Sequence, residues 1–318
     1  MSLNYKVSGV WKKTEPYVNV NGVWKLCTDV YVNNDGAWQS VLYEPGTRTI
    51  VPPFVDFFTV PAGVYNLNFV VTGGSGGPGG SDSHGGYWGS RGDTATGNLI
   101  VTPGQKLILI PGFGGSFGLS GQRNGAGGSG GYKADSGRWA GGAGGRSGGT
   151  GASGTGGGGG SAAVIIEENA TNPLVVAGGG GGGAGGGNDS NGHAHEPVNW
   201  LTKAYTDYGS PVGYGDGWNL AQGGSVGDAG QDKIYWNPTK LVYESRDGGG
   251  GGGGGGGYPR GGAGGSLVSG DNGAWSGWNG QSFVDQSKSW ASSTTVGDWD
   301  TTVGRGVAGR DGSISITW

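Results

Sequence analysis

The sequence predicts a mainly β and irregular fold in which strands of a small β-sandwich frame a stack of polyglycine II helices, preceded by a small β-hairpin repeat module. Three observations support this prediction. Glycine supplies 82 of the 318 residues, against about 7% in average proteins. Short apolar runs flank the long glycine tracts, and three imperfect copies of one hairpin unit occupy the first 44 residues.

The repeat unit at the front is a β-rich run, a tight-turn dipeptide and a second short run. Asn-Gly and Asp-Gly supply the positive φ angles that such turns need. We therefore predict a triple hairpin docking module over residues 1–44 and a glycine-rich body over 45–318. The tryptophans of the repeat either fill the core of this module or form a face that docks a partner chain: Trp11, Trp24 and Trp38.

The body contains apolar runs that have the length and alternation of half-buried strands. A turn at Pro103-Gly104 separates two of them. No segment carries a useful helical period. The predicted sandwich strands lie within residues 57–60, 64–71, 98–101, 107–110, 163–166, 173–177 and 313–318.

The glycine tracts between these runs predict an ordered lattice. A polyglycine II helix has three residues per turn and no internal hydrogen bonds, so its amides must bond neighbouring helices. Only glycine allows backbones to approach so closely, which explains triplets with two glycines and a variable third residue that faces outward or into a groove. The ten-glycine run 248–257 would span about 30 Å and act as a rigid spacer.

Composition excludes several other classes of protein. The 13 Trp and 13 Tyr argue against a disordered linker, and 13 Pro without a Gly-X-Y period argue against collagen. A net charge of −4 argues against a nucleic-acid partner. The single Cys27 excludes an internal disulfide framework, and the sequence predicts neither a secretory signal nor membrane insertion.

Residues 54–318 resemble the glycine-rich receptor-recognising adhesins at the long-tail-fibre tips of T-even-like bacteriophages. The resemblance rests on the order of five runs: 58–64 (FTVPAGV), 69–77 (FVVTGGSGG), 101–107 (VTPGQKL), 175–183 (VVAGGGGGG) and the closing run 311–316 (DGSISI). It implies a polyglycine-helix sandwich whose loops bind a bacterial outer-membrane protein. The triple Trp repeat departs from the attachment segment usual in that family.

The resemblance implies a non-enzymatic adhesin that is made in the host cytoplasm and carried on the virion. We expect a host-surface receptor, either an outer-membrane protein or lipopolysaccharide, and a fibre tip that is a monomer or a trimer. Aromatic residues between the glycine tracts are the receptor-binding candidates, because Tyr and Trp offer large contact areas at low entropic cost. Each of these rings either contacts the receptor or packs on the lattice: Tyr87, Trp88, Trp139, Trp200, Tyr205, Tyr208, Tyr214, Trp218, Tyr235, Trp236, Trp275, Trp278, Trp290 and Trp299.

Motifs for catalysis and metal binding are weak. His193 and His195 lack a third ligand at a suitable spacing, so we predict no metal site and no cofactor. Ser83, His84 and Asp82 are adjacent in sequence, which gives no triad geometry. Arg91-Gly92-Asp93 matches an integrin-binding tripeptide, and we interpret the match as a chance occurrence in a glycine-rich sequence.

The alternative functions are a secreted or structural glycine-rich slab, such as an ice-binding or matrix protein, and a fibre-borne polysaccharide depolymerase.

Overall fold

A computed structural model describes the chain over residues 3–7, 10–14, 17–27, 30–34, 37–40, 44–121, 126, 128–131, 139–147, 154–187, 233–237, 242–246, 249–259, 261–262, 264, 274–304 and 306–318. For the strands within 3–14, 31–40 and 233–246, the description concerns backbone pairing. These described residues form β-strands and irregular segments, and none of them lies in a helix capable of crossing a membrane.

The strands group into four hairpins and two larger sheets. Six strands precede the body: β1 (Leu3–Val7), β2 (Val10–Thr14), β3 (Tyr17–Val20), β4 (Val23–Leu26), β5 (Tyr31–Asn34) and β6 (Ala37–Ser40). The body contains β7 (Thr47–Ile50), β8 (Asp56–Thr59), β9 (Asn66–Thr72), β10 (Thr94–Ile100), β11 (Lys106–Ile110), β12 (Ala163–Glu167), β13 (Val175–Ala177), β14 (Lys233–Asn237), β15 (Val242–Arg246), β16 (Phe283–Val284), β17 (Ser289–Thr295) and β18 (Ser313–Thr317).

Each sequence repeat forms one antiparallel hairpin: β1 with β2, β3 with β4, and β5 with β6. In the second hairpin, Asn21 and Gly22 both have positive φ angles, 54° and 83°. These angles are typical of a type I′ turn, whose twist matches that of the flanking strands. The ring of Trp24 is 68% exposed, so it contributes to no core within the described residues.

Two five-stranded antiparallel sheets make up the sandwich, in the orders β17-β10-β9-β18-β7 and β16-β13-β12-β11-β8. Side chains alternate along β9, where Leu67, Phe69 and Val71 face a core shared by both sheets. This arrangement confirms the mainly β class and the predicted strands of the body. Strands β7 and β17 were not predicted, because both are edge strands with few apolar residues.

The two outer faces of the sandwich differ in chemistry. On the second sheet, Trp139 packs in a cluster with Ile110, Val164 and Val176. The outer face of the first sheet carries pairs of hydroxyl groups at hydrogen-bond distance, such as Thr96 with Ser293 at 2.9 Å. The second sheet is therefore covered by an apolar layer, and the first sheet presents a polar face.

Most strands of the sandwich join a glycine-rich segment at the same end of the sheets. The registers place Thr72 opposite both Thr94 and Ser313, and Ala163 opposite Ala177. Each of these residues is the last or first of its strand. Beyond them lies a set of segments joined by backbone hydrogen bonds, here called the glycine lattice: 73–81, 84–93, 112–121, 128–131, 139–147, 154–162, 178–187, 249–257 and 274–282.

Segment 154–162 lies at the centre of the glycine lattice. Its amides donate in rotation to segments 178–187, 112–121 and 139–147, so that every third amide reaches the same neighbour. Its carbonyls accept in the same rotation from segments 249–257, 73–81 and 128–131. Three neighbouring segments accept hydrogen bonds from this segment, and three others donate to it. Its backbone groups, which an α-helix would pair internally, are therefore paired with other segments.

The same closeness explains the glycines. A Cβ at Gly157 would lie 2.1 Å from the carbonyl oxygen of Gly77, one at Gly158 2.0 Å from that of Ser129, and one at Gly159 2.1 Å from that of Gly254. At residues 157–159, all three faces of the central segment are therefore closed to side chains. In segment 73–81, which lies nearer the edge, the third positions are Ser75, Pro78 and Ser81.

The opposite end of the sandwich receives both the preceding hairpins and the C-terminal residue. Thr47, the first residue of β7, pairs with Thr317 of β18. Gly46 and Trp318 exchange two backbone hydrogen bonds of 3.1 Å, and the Trp318 ring packs on Phe58. The chain before residue 47 therefore joins the body at the end of the sandwich that lies away from the glycine lattice.

Candidate functional site

The outer end of the glycine lattice is where its long connections begin and end. The Gly80 amide donates a backbone hydrogen bond to Thr155, and its carbonyl accepts one from Gly186. The Gly185 amide donates to Gly250, so the ends of these four segments lie side by side. The chain leaves this end after residues 81, 121, 147 and 187. The connection 188–248 therefore starts and finishes at the outer end, and it contains seven of the fourteen predicted receptor-binding aromatics.

An aromatic cluster lies on segment 84–93 and the neighbouring strip 298–300. The Tyr87 ring contacts Trp88 and Trp299 edge to face, with centroids 5.4 Å and 5.1 Å apart. The strip is held by backbone bonds from Arg91 to Asp298 and from Asp300 to Gly89, 2.8 Å and 2.9 Å long. Because all three rings are only partly buried, the cluster combines fixed geometry with accessible aromatic surface.

Beside this cluster, two arginines converge on one buried carboxylate. The Nε atoms of Arg91 and Arg310 each lie 3.5 Å from a different carboxylate oxygen of Asp300, whose side chain is 1% exposed. Thr302 donates a 2.6 Å hydrogen bond to Asp300 Oδ1 and accepts one of 2.6 Å from Arg310. Oδ2 accepts no hydrogen bond of good geometry, so the long contact with Arg310 is an ion pair only.

A second buried polar network lies where segments 84–93, 178–187 and 274–282 meet. Asp93 accepts hydrogen bonds from Ser282 (2.7 Å), from Asn279 (3.1 Å) and from the Gly297 amide (3.1 Å). Asn279 also accepts from Ser90 and from the Gly181 amide. Burial raises the pKa of Asp93 to about 6, although these hydrogen bonds favour the charged form. In this network the amides of Gly178 and Gly181 donate to side-chain oxygens instead of backbone carbonyls.

Burial separates the aromatic candidates into groups. Trp139 and Trp278 are 1% and 8% exposed, so their rings pack inside the molecule and we exclude them from the accessible surface. Trp275 is partly buried near the outer end, where its carbonyl accepts from Gly252. Trp290 is 52% exposed but lies on edge strand β17 opposite Asn98, toward the end of the strand away from the lattice. The structure therefore does not group Trp290 with Trp88 and Trp299.

Other predicted residues are described only in part or not at all. Tyr235 and Trp236 lie in strand β14 of the β14–β15 hairpin, and Trp11 and Trp38 lie in β2 and β6. Five further candidates, together with the paired histidines His193 and His195, lie outside the described residues: Trp200, Tyr205, Tyr208, Tyr214 and Trp218. Among the residues that are described, no group of His, Cys, Asp and Glu could hold a metal ion.

The remaining motifs do not form functional geometry. Asp93 is 3% exposed and bonded within the network, so Arg91-Gly92-Asp93 cannot present its carboxylate to an integrin. The Ser83 hydroxyl donates to Asp82 at 3.5 Å, whereas a catalytic triad needs the histidine between the hydroxyl and the carboxylate. Comparison with protein-family models and with curated proteins gives no match to this chain.

Sequence reasoning missed Arg310, Asp300 and Thr302 and considered Arg91 only within its tripeptide. A signal for Arg91 was present in the glycine spacing. Gly86, Gly89 and Gly92 recur every three residues, which assigns one face of the segment to a neighbour and leaves Trp88 and Arg91 together on another. Asp300 could not be found this way, because its contact with residue 91 joins distant parts of the chain.

Proposed function

We propose that the chain is a bacteriophage tail-fibre tip adhesin that binds a receptor on the host-cell surface. The observation that carries the proposal is the polarity of the body. The preceding hairpins join one end of the sandwich, and the long aromatic connections leave from the far end of the glycine lattice. Such a polarity suits a protein that is attached at one end and binds at the other.

The glycine lattice suits the role of a rigid spacer if its segments are polyglycine II helices, as we propose. The support for this assignment is the three-residue rotation of hydrogen-bond partners along segment 154–162, which matches a helix with three residues per turn. A lattice with both donors and acceptors satisfied resists bending, so the segment ends from which the connections leave are held at fixed spacings.

The first hairpins are proposed to form a compact repeat module that docks the fibre shaft protein. The support is the exposure of apolar side chains in the β3–β4 hairpin, where Val23 is 59% and Trp24 68% exposed. An isolated hairpin is at best marginally stable in water. Covering these side chains with a partner chain would therefore stabilise both the hairpin and the attachment.

The experiment that tests the proposed function measures binding of the purified full chain to a panel of whole bacteria. Each strain is compared with protease-shaved cells and with a mutant that makes truncated lipopolysaccharide. Saturable binding that one treatment abolishes is the expected result, and it assigns the receptor class. A folded chain that binds no strain in the panel would contradict the adhesin and favour a structural slab.

A further inference from the structure

Segment 84–93 presents three distinct faces because its residues repeat every three positions. A Cβ at Gly86, Gly89 or Gly92 would lie 2.2–2.3 Å from a carbonyl oxygen of segment 73–81, so this face is closed. Ser90 and Asp93 point into the buried polar network. The remaining face carries Trp88 and Arg91, which at about 3.1 Å per residue are spaced about 9 Å apart along the segment.

The arginines on this face are held in place while their charged ends stay accessible. The Arg91 and Arg310 side chains are 48% and 59% exposed, yet both are anchored through Nε to the buried Asp300. Anchoring lowers the entropy that each long side chain would lose on binding a ligand. Nη2 of Arg310 already donates one hydrogen bond to Thr302, and the remaining terminal N–H groups of the two arginines can donate to a carboxylate or a phosphate.

The charges of this cluster leave room for an anion. Two guanidinium groups face one buried carboxylate, so one positive charge is left without a partner inside the cluster. Two other carboxylates are near in sequence. Asp298 accepts a 2.7 Å bond from the Trp299 amide, and Asp311 accepts a 2.9 Å bond from the Gly114 amide. Neither of them forms an ion pair with Arg91 or Arg310, whose carboxylate partner among the described residues is Asp300.

We infer that Trp88, Arg91 and Arg310 form a binding site for an acidic sugar of a bacterial surface glycan. The apolar face of a sugar ring packs on the indole, and its carboxylate or phosphate binds the two guanidinium groups. Asp300 and Thr302 are positioning residues that orient the arginines. This inference rests on the proposed function and assigns the class of receptor that this part of the surface recognises.

The test is isothermal titration of the full chain with two matched pairs of oligosaccharides. One pair is a uronic acid-containing capsular fragment and its carboxyl-reduced form, and the other is a phosphorylated lipopolysaccharide core and its dephosphorylated form. We expect binding to at least one acidic form and a loss of about tenfold or more in affinity for its neutral counterpart. The pair that responds identifies the anionic group.

Variants locate the site. Trp88→Ala, Arg91→Ala and Arg310→Ala should each weaken binding of the acidic form by about tenfold or more. Phe57→Ala and Arg48→Ala are the matched controls, because both side chains are exposed but lie on the sandwich, and they should leave the affinity unchanged. Thermal melting checks that each variant folds, and Arg91→Lys retains the charge if the alanine variant does not fold.

Two outcomes would overturn the inference. The first is a chain that binds whole bacteria but neither acidic oligosaccharide, which leaves the adhesin proposal standing. The second is glycan binding that the Trp88 and Arg91 variants do not weaken. A chain that binds neither cells nor glycans would instead contradict the proposed function itself, so the two failures are distinguishable.

Discussion

The sandwich and the glycine lattice are built from the same stretches of chain but are stabilised in opposite ways. Residues 154–162 lead directly into β12, and β9 leads directly into residues 73–81. In the sandwich, alternate side chains fill a shared apolar core. In the lattice, backbone carbonyls occupy the space where side chains would be.

The comparison shows what each region tolerates. A sandwich stabilised by apolar burial becomes less stable when a buried side chain is made smaller. A lattice stabilised by inter-segment hydrogen bonds becomes less stable when a side chain is added, because no flexible group is available to move aside. The entropy lost on ordering glycine, roughly 1 kcal/mol per residue more than alanine, is offset in the lattice by hydrogen bonds that satisfy each buried amide and carbonyl.

The largest expected effect comes from adding one methyl group to the centre of the lattice. Gly157→Ala places a Cβ 2.1 Å from the Gly77 carbonyl oxygen and 2.6 Å from that of Pro78. Both oxygens belong to the backbone of a packed segment and cannot move aside. We expect a loss of more than about 3 kcal/mol in the free energy of unfolding, beyond ordinary overpacking. Denaturant titration followed by tryptophan fluorescence measures it.

Gly304→Ala is the matched control for this substitution. Its Cβ would meet nothing closer than a Val307 methyl group at 3.9 Å, so the change should stay within about 0.5 kcal/mol. Equal stability of the two alanine variants would show that the central lattice is far looser than these distances require.

The second effect tests the sandwich. Leu67→Ala removes a side chain that is fully buried between the sheets, and we expect a loss of about 2–5 kcal/mol from the transfer and cavity terms. Val70→Ala, on the same strand but 47% exposed, should cost less than about 1 kcal/mol. A Val70 variant as unstable as the Leu67 variant would mean that the outer face of this sheet is covered in solution.

The fold could be predicted from the sequence where the residue pattern carries the structure. Alternation located β9 and β18, and the Asn21-Gly22 turn followed from the φ requirement of a tight hairpin. Strand β17 was missed because Ser289–Thr295 has few apolar residues, and it is a strand only because β10 offers it an edge. Local pattern cannot reveal such a partner.

The site was predicted less well, for a related reason. The sequence identified Tyr87, Trp88 and Trp299 as binding candidates by residue type, but type alone could not separate them from the buried Trp139 and Trp278. Burial depends on which segments become neighbours in the lattice. The ion pair of Arg91 with Asp300 joins residues more than two hundred positions apart, and no local feature of the sequence around either residue predicts it.

A third and smaller effect tests a side chain that accepts a hydrogen bond from the backbone at the end of the lattice. Ser161 is fully buried and its hydroxyl accepts a 2.7 Å hydrogen bond from the Phe113 amide. Ser161→Ala keeps the Cβ, which already fits, and leaves that amide without its acceptor. We expect a loss of about 1–2 kcal/mol in the free energy of unfolding. A loss as large as that of Gly157→Ala would contradict the distinction between positions that exclude a Cβ and positions that accept one.

The smallest effect depends on pH and concerns the junction between the two regions. The pKa of Asp93 rises from 3.8 to about 6 on burial, so the folded chain binds a proton that the unfolded chain releases. This contribution to stability is complete below about pH 3.8 and is lost as the pH rises through about 6. Between pH 7 and pH 5 the free energy of unfolding should therefore increase by about 1 kcal/mol from this group.

Asp93→Asn separates this contribution from those of other carboxylates. An amide can still accept from Asn279 and the Gly297 amide, and it resembles the protonated acid without titrating. The variant should lose the increase between pH 7 and pH 5 and should be no less stable than the parent at pH 7. A pH profile that keeps its slope in the variant would assign the increase to other groups. It would also mean that Asp93 stays ionised in the folded chain, held by the three donors that surround it.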